Sequence, residues 1–397
     1  MGSYKEVTTQ SWGSRLGSAL TGVLIGLLLF IASFVLLGWN EYRSIKEYKG
    51  LKQMEAETVA LSSPTYDPAN DGAPVYMTGQ AVTSESLNDS TFMVSGNVLK
   101  LRRVVEMYQW QENTTSTTRQ KVGGGTETVT EYTYSQVWSE TPINSSGFKY
   151  HTHPDTGQQM VNPSMAYTSQ TFTASTVTVG DFTLNDGLKA KLSGYRQLAV
   201  ETVPPSLPAS TQVRDGGYYI PASLTGSMSQ AQVGDYRVRF EVVDPTMVTL
   251  VAVQTSNRSL AAFQDDYQLL SMGEHTVSGM FEQAQSARAM LTWILRGVGF
   301  LMMLFGLTMM LKPLSVAASV IPLLGRITGA GIFLVCFLLA LVLSLVTIGI
   351  MWLAVRPVLG GIVLAAAVGF FVLMIVMRKG KGGDAAAAAA PPPPPSA

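Results

Sequence analysis

The block at residues 289–377 reads AMLTWILRGVGFLMMLFGLTMMLKPLSVAASVIPLLGRITGAGIFLVCFLLALVLSLVTIGIMWLAVRPVLGGIVLAAAVGFFVLMIVM, with apolar runs near 291–311, 332–354 and 358–377. Each run is close to the ~20 residues with which a helix crosses a hydrocarbon core of about 30 Å, because there every backbone N–H and C=O must be bonded within the segment. Arg288 precedes the block and Arg378-Lys379 follows it. With their flanks the runs give transmembrane helices over 291–311, 328–355 and 356–377, the last two joined tightly at Arg356-Pro357. Residues 312–327 hold a short apolar stretch broken by Pro322, too short to cross and read as interfacial or re-entrant.

Toward the N-terminus, residues 1–15 are short and polar, and 16–38 read as a first span. This run is too long for a removable signal peptide, lacks its small-residue cleavage pattern and ends in Trp39, so it reads as an uncleaved anchor. Ser14, Ser18, Gly22 and Gly26 recur every fourth residue, a stripe of small side chains suited to close helix packing or to a contact between copies. Residues 39–60 continue as an amphipathic stalk helix, with Arg43 and Glu47 paired at i,i+4. A second stalk over 277–290, with Met280, Phe281, Ala284 and Ala287 on one face, runs without a breaker into the second span.

Between the stalks, residues 61–276 are polar, rich in Thr, Val, Tyr and Phe and punctuated by Gly and Pro, the pattern of one large β-rich domain. The clearest hairpin runs from 98–111 through Gly123-Gly124-Gly125 into 126–140. Its alternation puts Val104, Glu106, Tyr108 and Trp110 on one face of the first strand and Tyr132, Tyr134 and Trp138 on one face of the second. Large rings at this spacing are read as core rather than as a ligand cage. Further strands are expected at 75–82, 171–179, 236–243 and 248–255, and a loop at 223–232. The fold class is therefore a multi-pass α-helical membrane protein of four spans with a large β-rich (α+β) extracytoplasmic domain between the first two. The tail at 378–397, an alanine run and five prolines, reads as disordered.

The 397 residues are 47% hydrophobic and only 14% charged, and 27 Lys+Arg balance 27 Asp+Glu. Nothing in that balance offers a polyanion the basic face it needs, so no nucleic-acid partner is assigned. The positive-inside comparison is nearly a tie, and both termini are placed in the cytoplasm because the tail is short and basic. The single cysteine, Cys336, lies within a span and reads as a small buried side chain.

Three histidines exist, His151, His153 and His275. His151 and His153 with Asp155 fall short of the three or four fixed ligands that zinc needs, so no metal is assigned, and no cofactor motif is present. No nucleophile elbow, P-loop or zincin helix supports a catalytic assignment, and the chain is read as not an enzyme. The spans carry no ionisable residue near their centres, with Arg296 near one end of its run, which argues against a coupled transporter.

The segment Leu101-Arg102-Arg103-Val104-Val105-Glu106-Met107-Tyr108-Gln109-Trp110 resembles the transmembrane protein 43 family, also called LUMA. The resemblance continues through Tyr132-Thr133-Tyr134, Trp138-Ser139-Glu140, Ile143-Asn144-Ser145, Asn162-Pro163-Ser164 and Val233-Gly234-Asp235-Tyr236-Arg237-Val238, and takes in Asn40-Glu41, Trp352 and Arg356-Pro357. It implies four spans, a luminal or extracytoplasmic domain and, for eukaryotic members, a structural role at the endoplasmic reticulum or inner nuclear membrane. The Ala/Pro tail is of bacterial character, for which the same arrangement gives an inner-membrane protein with a periplasmic domain. The expected function is a scaffold that self-associates and organises membrane or partner proteins; the alternative is an oligomeric ion channel or lipid-handling pore. Expected partners are membrane lipids, further copies of the chain and other membrane proteins. Interface candidates are Asn40, Glu41, Arg102, Arg103, Glu106, Tyr108, Trp110, Trp138, Asn162, Pro163, Arg356 and Pro357, and helix-packing candidates are Ser18, Gly22 and Gly26.

Overall fold

A computed structural model of the chain describes residues 2–223, 230–264, 266–318, 322–353, 357–369 and 371–372. Arg356, part of the 223–232 loop and the 378–397 tail lie outside the described residues. Two compact units emerge: one takes in 1–7, 50–117 and 129–285, the other 8–49, 118–128 and 286–397.

The first unit is β-rich. One sheet runs in the order β1 (Ser3–Gln10), β7 (Thr126–Ser139), β6 (Lys100–Gln120), β14 (Tyr236–Val243), β13 (Gly217–Ile220) and β12 (Gln212–Arg214). On it β11 (Arg196–Leu198) also pairs β14 and β8 (Gln170–Thr173) pairs β6. A second sheet runs β10 (Phe182–Thr183), β9 (Thr178–Val179), β3 (Pro74–Val82), β15 (Thr246–Gln254) and β16 (Leu260–Ala261), with β2 (Val59–Ala60) beside β3 and β17 (Leu269–Met272) beside β15. A small hairpin joins β4 (Leu87–Asp89) and β5 (Val94–Gly96).

Period-two alternation decides what each face of β6 does. Leu101, Val105 and Met107 turn inward with Val238, Phe240 and Val242 of β14, around Phe92 and Tyr218. The intervening residues face the other way. A second core gathers Val75, Met77, Val248, Leu250, Phe182 and Leu188, the last from α2 (Asp186–Lys191), whose N-cap Asn185 accepts the Leu188 N–H. The hairpin turn needs its glycines: Gly123 and Gly124 have φ of 88° and 80°, and the Lys121 N–H donates to the Gly125 carbonyl at 2.8 Å.

Three readings change in detail. The segment expected as one strand at 171–179 is two, β8 on the first sheet and β9 on the second, because Ala174 and Val177 between them are buried as the chain crosses from sheet to sheet. The first hairpin strand runs on to Gln120 through a Thr-rich stretch with no apolar alternation to announce it. Residues 3–10, read as part of a polar cytoplasmic lead, form β1, and residues 3–6 belong to the β-rich unit.

The helices are α1 (Trp12–Glu57), α3 (Val277–Ala318), α4 (Pro322–Leu353) and the shorter apolar α5 (Pro357–Gly369). Of the described residues, three helical stretches are long and apolar enough to cross a membrane: Trp12–Glu57, Val277–Ala318 and Ala330–Leu353. At 46 residues α1 is about 70 Å long, twice the hydrocarbon thickness, so its second half is the stalk. The stalk ends pack in the β-rich unit, where Leu51 and Met54 of α1 meet Met280 and Phe281 of α3 against Val251, Phe263 and Tyr267. Within the stretch at 312–327 the described residues are helical, α3 continuing through Pro313 to Ala318. Pro322 opens α4, a position where its missing N–H costs no hydrogen bond.

In the helical unit α1 and α3 run antiparallel and close. A Cβ on Gly26 would sit 2.8 Å from the Gly306 carbonyl oxygen, and one on Gly299 would sit 2.6 Å from Leu37. Leu37, Met303, Leu304, Cys336 and Ala340 form the buried centre of this packing.

Candidate functional site

In the β-rich unit the outward face of β6 and β14 carries a row of ion pairs. Antiparallel register sets Arg237 opposite Glu106 and Glu241 opposite Arg102. Arg237 grips Glu106 with two bonds, Nε to Oε2 at 2.7 Å and Nη2 to Oε1 at 3.0 Å. Arg239 reaches Glu106 at 3.0 Å and Glu241 at 3.4 Å, and Arg102 donates to Glu241 through Nε at 2.8 Å. The row is Arg102, Glu241, Arg239, Glu106, Arg237. Rings close both ends: Arg102 lies 4.2 Å over Tyr195 and Arg237 4.7 Å over Trp138, which packs on Tyr108 at 5.1 Å. Bonding to Arg237 holds the Glu106 carboxyl below the usual glutamate range, against the opposing effect of burial.

Arg103 points the other way. It is 5% exposed, pairs with Asp89 at 2.6 Å, donates to the Thr168 carbonyl at 2.9 Å and stacks over Phe92 at 5.1 Å. Asp89 also accepts the Thr91 and Phe92 N–H groups, so this buried pair ties the β4–β5 hairpin to β6. Adjacent arginines thus separate into one on the open face and one in the core.

Trp110 is buried with Tyr134, Phe148 and Met160. Beside it Asn162 imitates a neighbouring strand: its Oδ1 accepts the Trp110 N–H at 2.7 Å while its Nδ2 donates to the carbonyls of Trp110 and Ile143 at 2.9 and 3.0 Å. Pro163 packs at Gly234, where φ is 98° and an added Cβ would lie 3.3 Å from the proline ring. Burial and the Glu112 carboxylate push the Tyr134 hydroxyl well above its ordinary value. His153 tilts against Trp110 at 5.4 Å and its Nδ1 faces the N–H groups of Asp155 and Thr156. The His151 carbonyl accepts the Met160 N–H, and the Asp155 carboxylate accepts the Gly2 N–H at 2.5 Å. Among the described residues no three His, Cys, Asp or Glu are grouped to hold a metal.

The helical unit holds the other site. Glu41 is 1% exposed and receives Arg296 Nε on Oε1 at 2.6 Å, with Arg296 Nη2 and Trp352 Nε1 on Oε2 at 2.8 and 2.7 Å. The guanidinium lies 4.6 Å from the Trp293 ring and 5.4 Å from the Trp352 ring. Asn40 donates to the Thr292 carbonyl at 3.1 Å and accepts from Arg43, and Glu47 joins Arg43 at 3.0 Å with Arg288 at 3.6 Å. A charge near the membrane is sustained only with such partners.

Of the sequence candidates, Asn40 and Glu41 meet in this site and Arg102, Glu106, Tyr108 and Trp138 meet on the sheet face. Arg103, Trp110, Asn162 and Pro163 are packing elements. Gly26 is buried against α3, a Cβ added to Gly22 would lie 3.8 Å from Met309 Cε, and Ser18 is exposed with its hydroxyl on the Arg15 carbonyl. Pro357 opens α5. Sequence reasoning noted Arg296 and Trp352 but missed their convergence on Glu41. The available signal was charge of opposite sign at the polar ends of two successive spans.

Membrane-length helices joined to a β-rich unit, with a buried ion pair at their polar ends, define an integral membrane protein. A family model described as Transmembrane protein 43 matches residues 107–357. The chain is 30% identical over 358 residues to Transmembrane protein 43 of Mus musculus, covering 86% of each chain, and 30% identical over 359 residues to that of Homo sapiens, again 86% of each. To the Transmembrane protein 43 homolog of Drosophila melanogaster it is 26% identical over 358 residues, 86% of this chain and 91% of the relative. The chain belongs to the transmembrane protein 43 family. No solved structure matches it.

Proposed function

We propose that the chain is a non-enzymatic integral membrane scaffold that self-associates and organises membrane or partner proteins through its β-rich domain. The carrying observation is the Arg-Glu-Arg-Glu-Arg row across β6 and β14, closed by Tyr195 and Trp138. Alternating charge along the row is self-complementary: a second copy shifted by one position sets two arginines and both glutamates of each row against an opposite charge, as a two-fold interface allows. Arginine and large rings are also the residue types that anchor protein interfaces. The arginine side chains are 37–44% exposed, so they are ordered by their pairs yet still reachable. The placement that accompanies this reading is a bacterial inner membrane, with residues 356–377 as a fourth span and the β-rich domain in the periplasm.

The test is particle mass in nanodiscs, measured by mass photometry for the full chain and for Arg237→Glu/Arg239→Glu. The expected result is more than one copy per particle, falling to single copies in the variant. A wild-type particle that is monomeric at every concentration sinks the self-association reading.

A further inference from the structure

Between the polar ends of α1, α3 and α4 lies an open cleft of about 280 Å³, lined by Glu41, Ser44, Tyr48, Trp293, Arg296 and Trp352 among others. Three features set its chemistry. The Glu41 carboxylate is fully engaged by Arg296 and Trp352, so the lining acid has little left to offer a cation. Arg296 spends Nε and Nη2 on that carboxylate; among the described residues its Nη1 and the Ser44 hydroxyl have no hydrogen-bond partner. The surrounding cluster is positive: Arg43, Arg288 and Arg296 stand against Glu41 and Glu47.

Position narrows the ligand further. Glu41 follows the first apolar run by a few residues, and Trp39, Tyr42, Tyr48 and Trp293, all more than 40% exposed, surround it. Exposed Trp and Tyr at the end of a span mark the headgroup level of a bilayer. An anion that reaches donors at that depth, beside apolar helix faces, is the phosphate of a lipid. From this convergence of spare donors, net positive charge and headgroup depth, we propose that the cleft binds the phosphate of an anionic glycerophospholipid, with Arg296 Nη1 and the Ser44 hydroxyl donating and the Trp293 and Trp352 rings flanking the headgroup. This binding does not depend on the scaffold reading, since a single copy carries every lining residue.

The experiment uses full-length protein in detergent, with native mass spectrometry of bound lipid after titration with phosphatidylglycerol, phosphatidylcholine or inorganic phosphate. Two variants are compared. Arg296→Lys keeps a cation opposite Glu41 but removes the spare Nη1, and Ser44→Phe leaves the ion pair alone and fills the cleft. The expected result is preferential retention of phosphatidylglycerol, weakened about tenfold in each variant as loss of a charge-assisted hydrogen bond requires. Equal binding of phosphatidylcholine overturns the proposal, as does unchanged phosphatidylglycerol binding in the Ser44→Phe protein. Inorganic phosphate competing at the same concentration as the lipid also overturns it, because the site then takes any anion. Particle mass is read in the same spectra, so loss of lipid and loss of self-association are separately visible.

Discussion

The Glu41 carboxylate and the Arg296 guanidinium meet through two parallel hydrogen bonds of 2.6 and 2.8 Å, joining helices α1 and α3 at their polar ends. Removing one partner strands the other charge in a site that is 1% exposed at Glu41 and 13% at Arg296. Glu41→Ala is therefore expected to cost about 3–5 kcal/mol, whereas Glu41→Leu with Arg296→Met, which removes both charges, restores most of it. Thermal unfolding of the two proteins in the same detergent checks this. A double variant no more stable than the single one refutes the stranded-charge argument.

Acid should loosen the sheet face. Glu106 has its carboxyl pKa held below the ordinary 4.5 chiefly by its hydrogen bond to Arg237. A depressed folded value means that the unfolded chain binds the proton first as pH falls. The stabilisation is thus complete above about 4.5 and disappears as pH drops through the lowered value. The melting temperature of the wild type should fall more steeply below pH 4.5 than that of Glu106→Gln. Parallel curves would show that the pair contributes nothing measurable.

The small-residue stripe divides by contact. A side chain on Gly26 meets the Gly306 carbonyl oxygen and Met309 Cβ at 2.8 and 2.9 Å, while one on Gly22 meets only Met309 Cε at 3.8 Å. Gly26→Leu is expected to destabilise by about 1–3 kcal/mol, as overpacking does, and Gly22→Ala to be tolerated. Thermal unfolding of both variants in detergent distinguishes them. Equal tolerance at both positions would mean that the helices can part without cost.

How legible this was follows from what each residue signals locally. The stalk of α1 could be read because Arg43 and Glu47 continue the helical spacing past the apolar run, and β14 because its alternation is complete within eight residues. Two-residue strands such as β2, β9, β10 and β16 have no period to read, and β6 beyond Trp110 is polar on both faces. The site was harder still. Glu41 and Arg296 are 255 residues apart, and their meeting depends on the register of α1 on α3, which close approach at Gly26 and Gly306 fixes. Charge sign and depth relative to the apolar run are local properties; register is not. For the same reason Arg102 and Arg103 looked alike in the sequence until the pleat gave one to the ion row and the other to the core.

The N-terminal strand offers a test of topology. Within the β-rich unit the Tyr4 ring stacks on Tyr150 at 4.1 Å, its hydroxyl donates to the Thr152 carbonyl at 2.9 Å, and Glu6 pairs with Lys149 at 3.0 Å. A four-span chain that starts in the cytoplasm and carries its β-rich domain in the periplasm sets Tyr4 and Tyr150 on opposite sides of the bilayer. The two arrangements exclude each other in one molecule, because α1 has a single apolar stretch with which to cross. Tyr4→Cys with Tyr150→Cys, in a Cys336→Ser background, reports which holds in cells. The strand pairing predicts cross-linking by a short bismaleimide and labelling of both positions from the periplasmic side. A Tyr4→Cys protein that an impermeant maleimide reaches only after the membrane is opened, with no cross-link formed, would establish the cytoplasmic start and remove β1 from the sheet of the inserted protein.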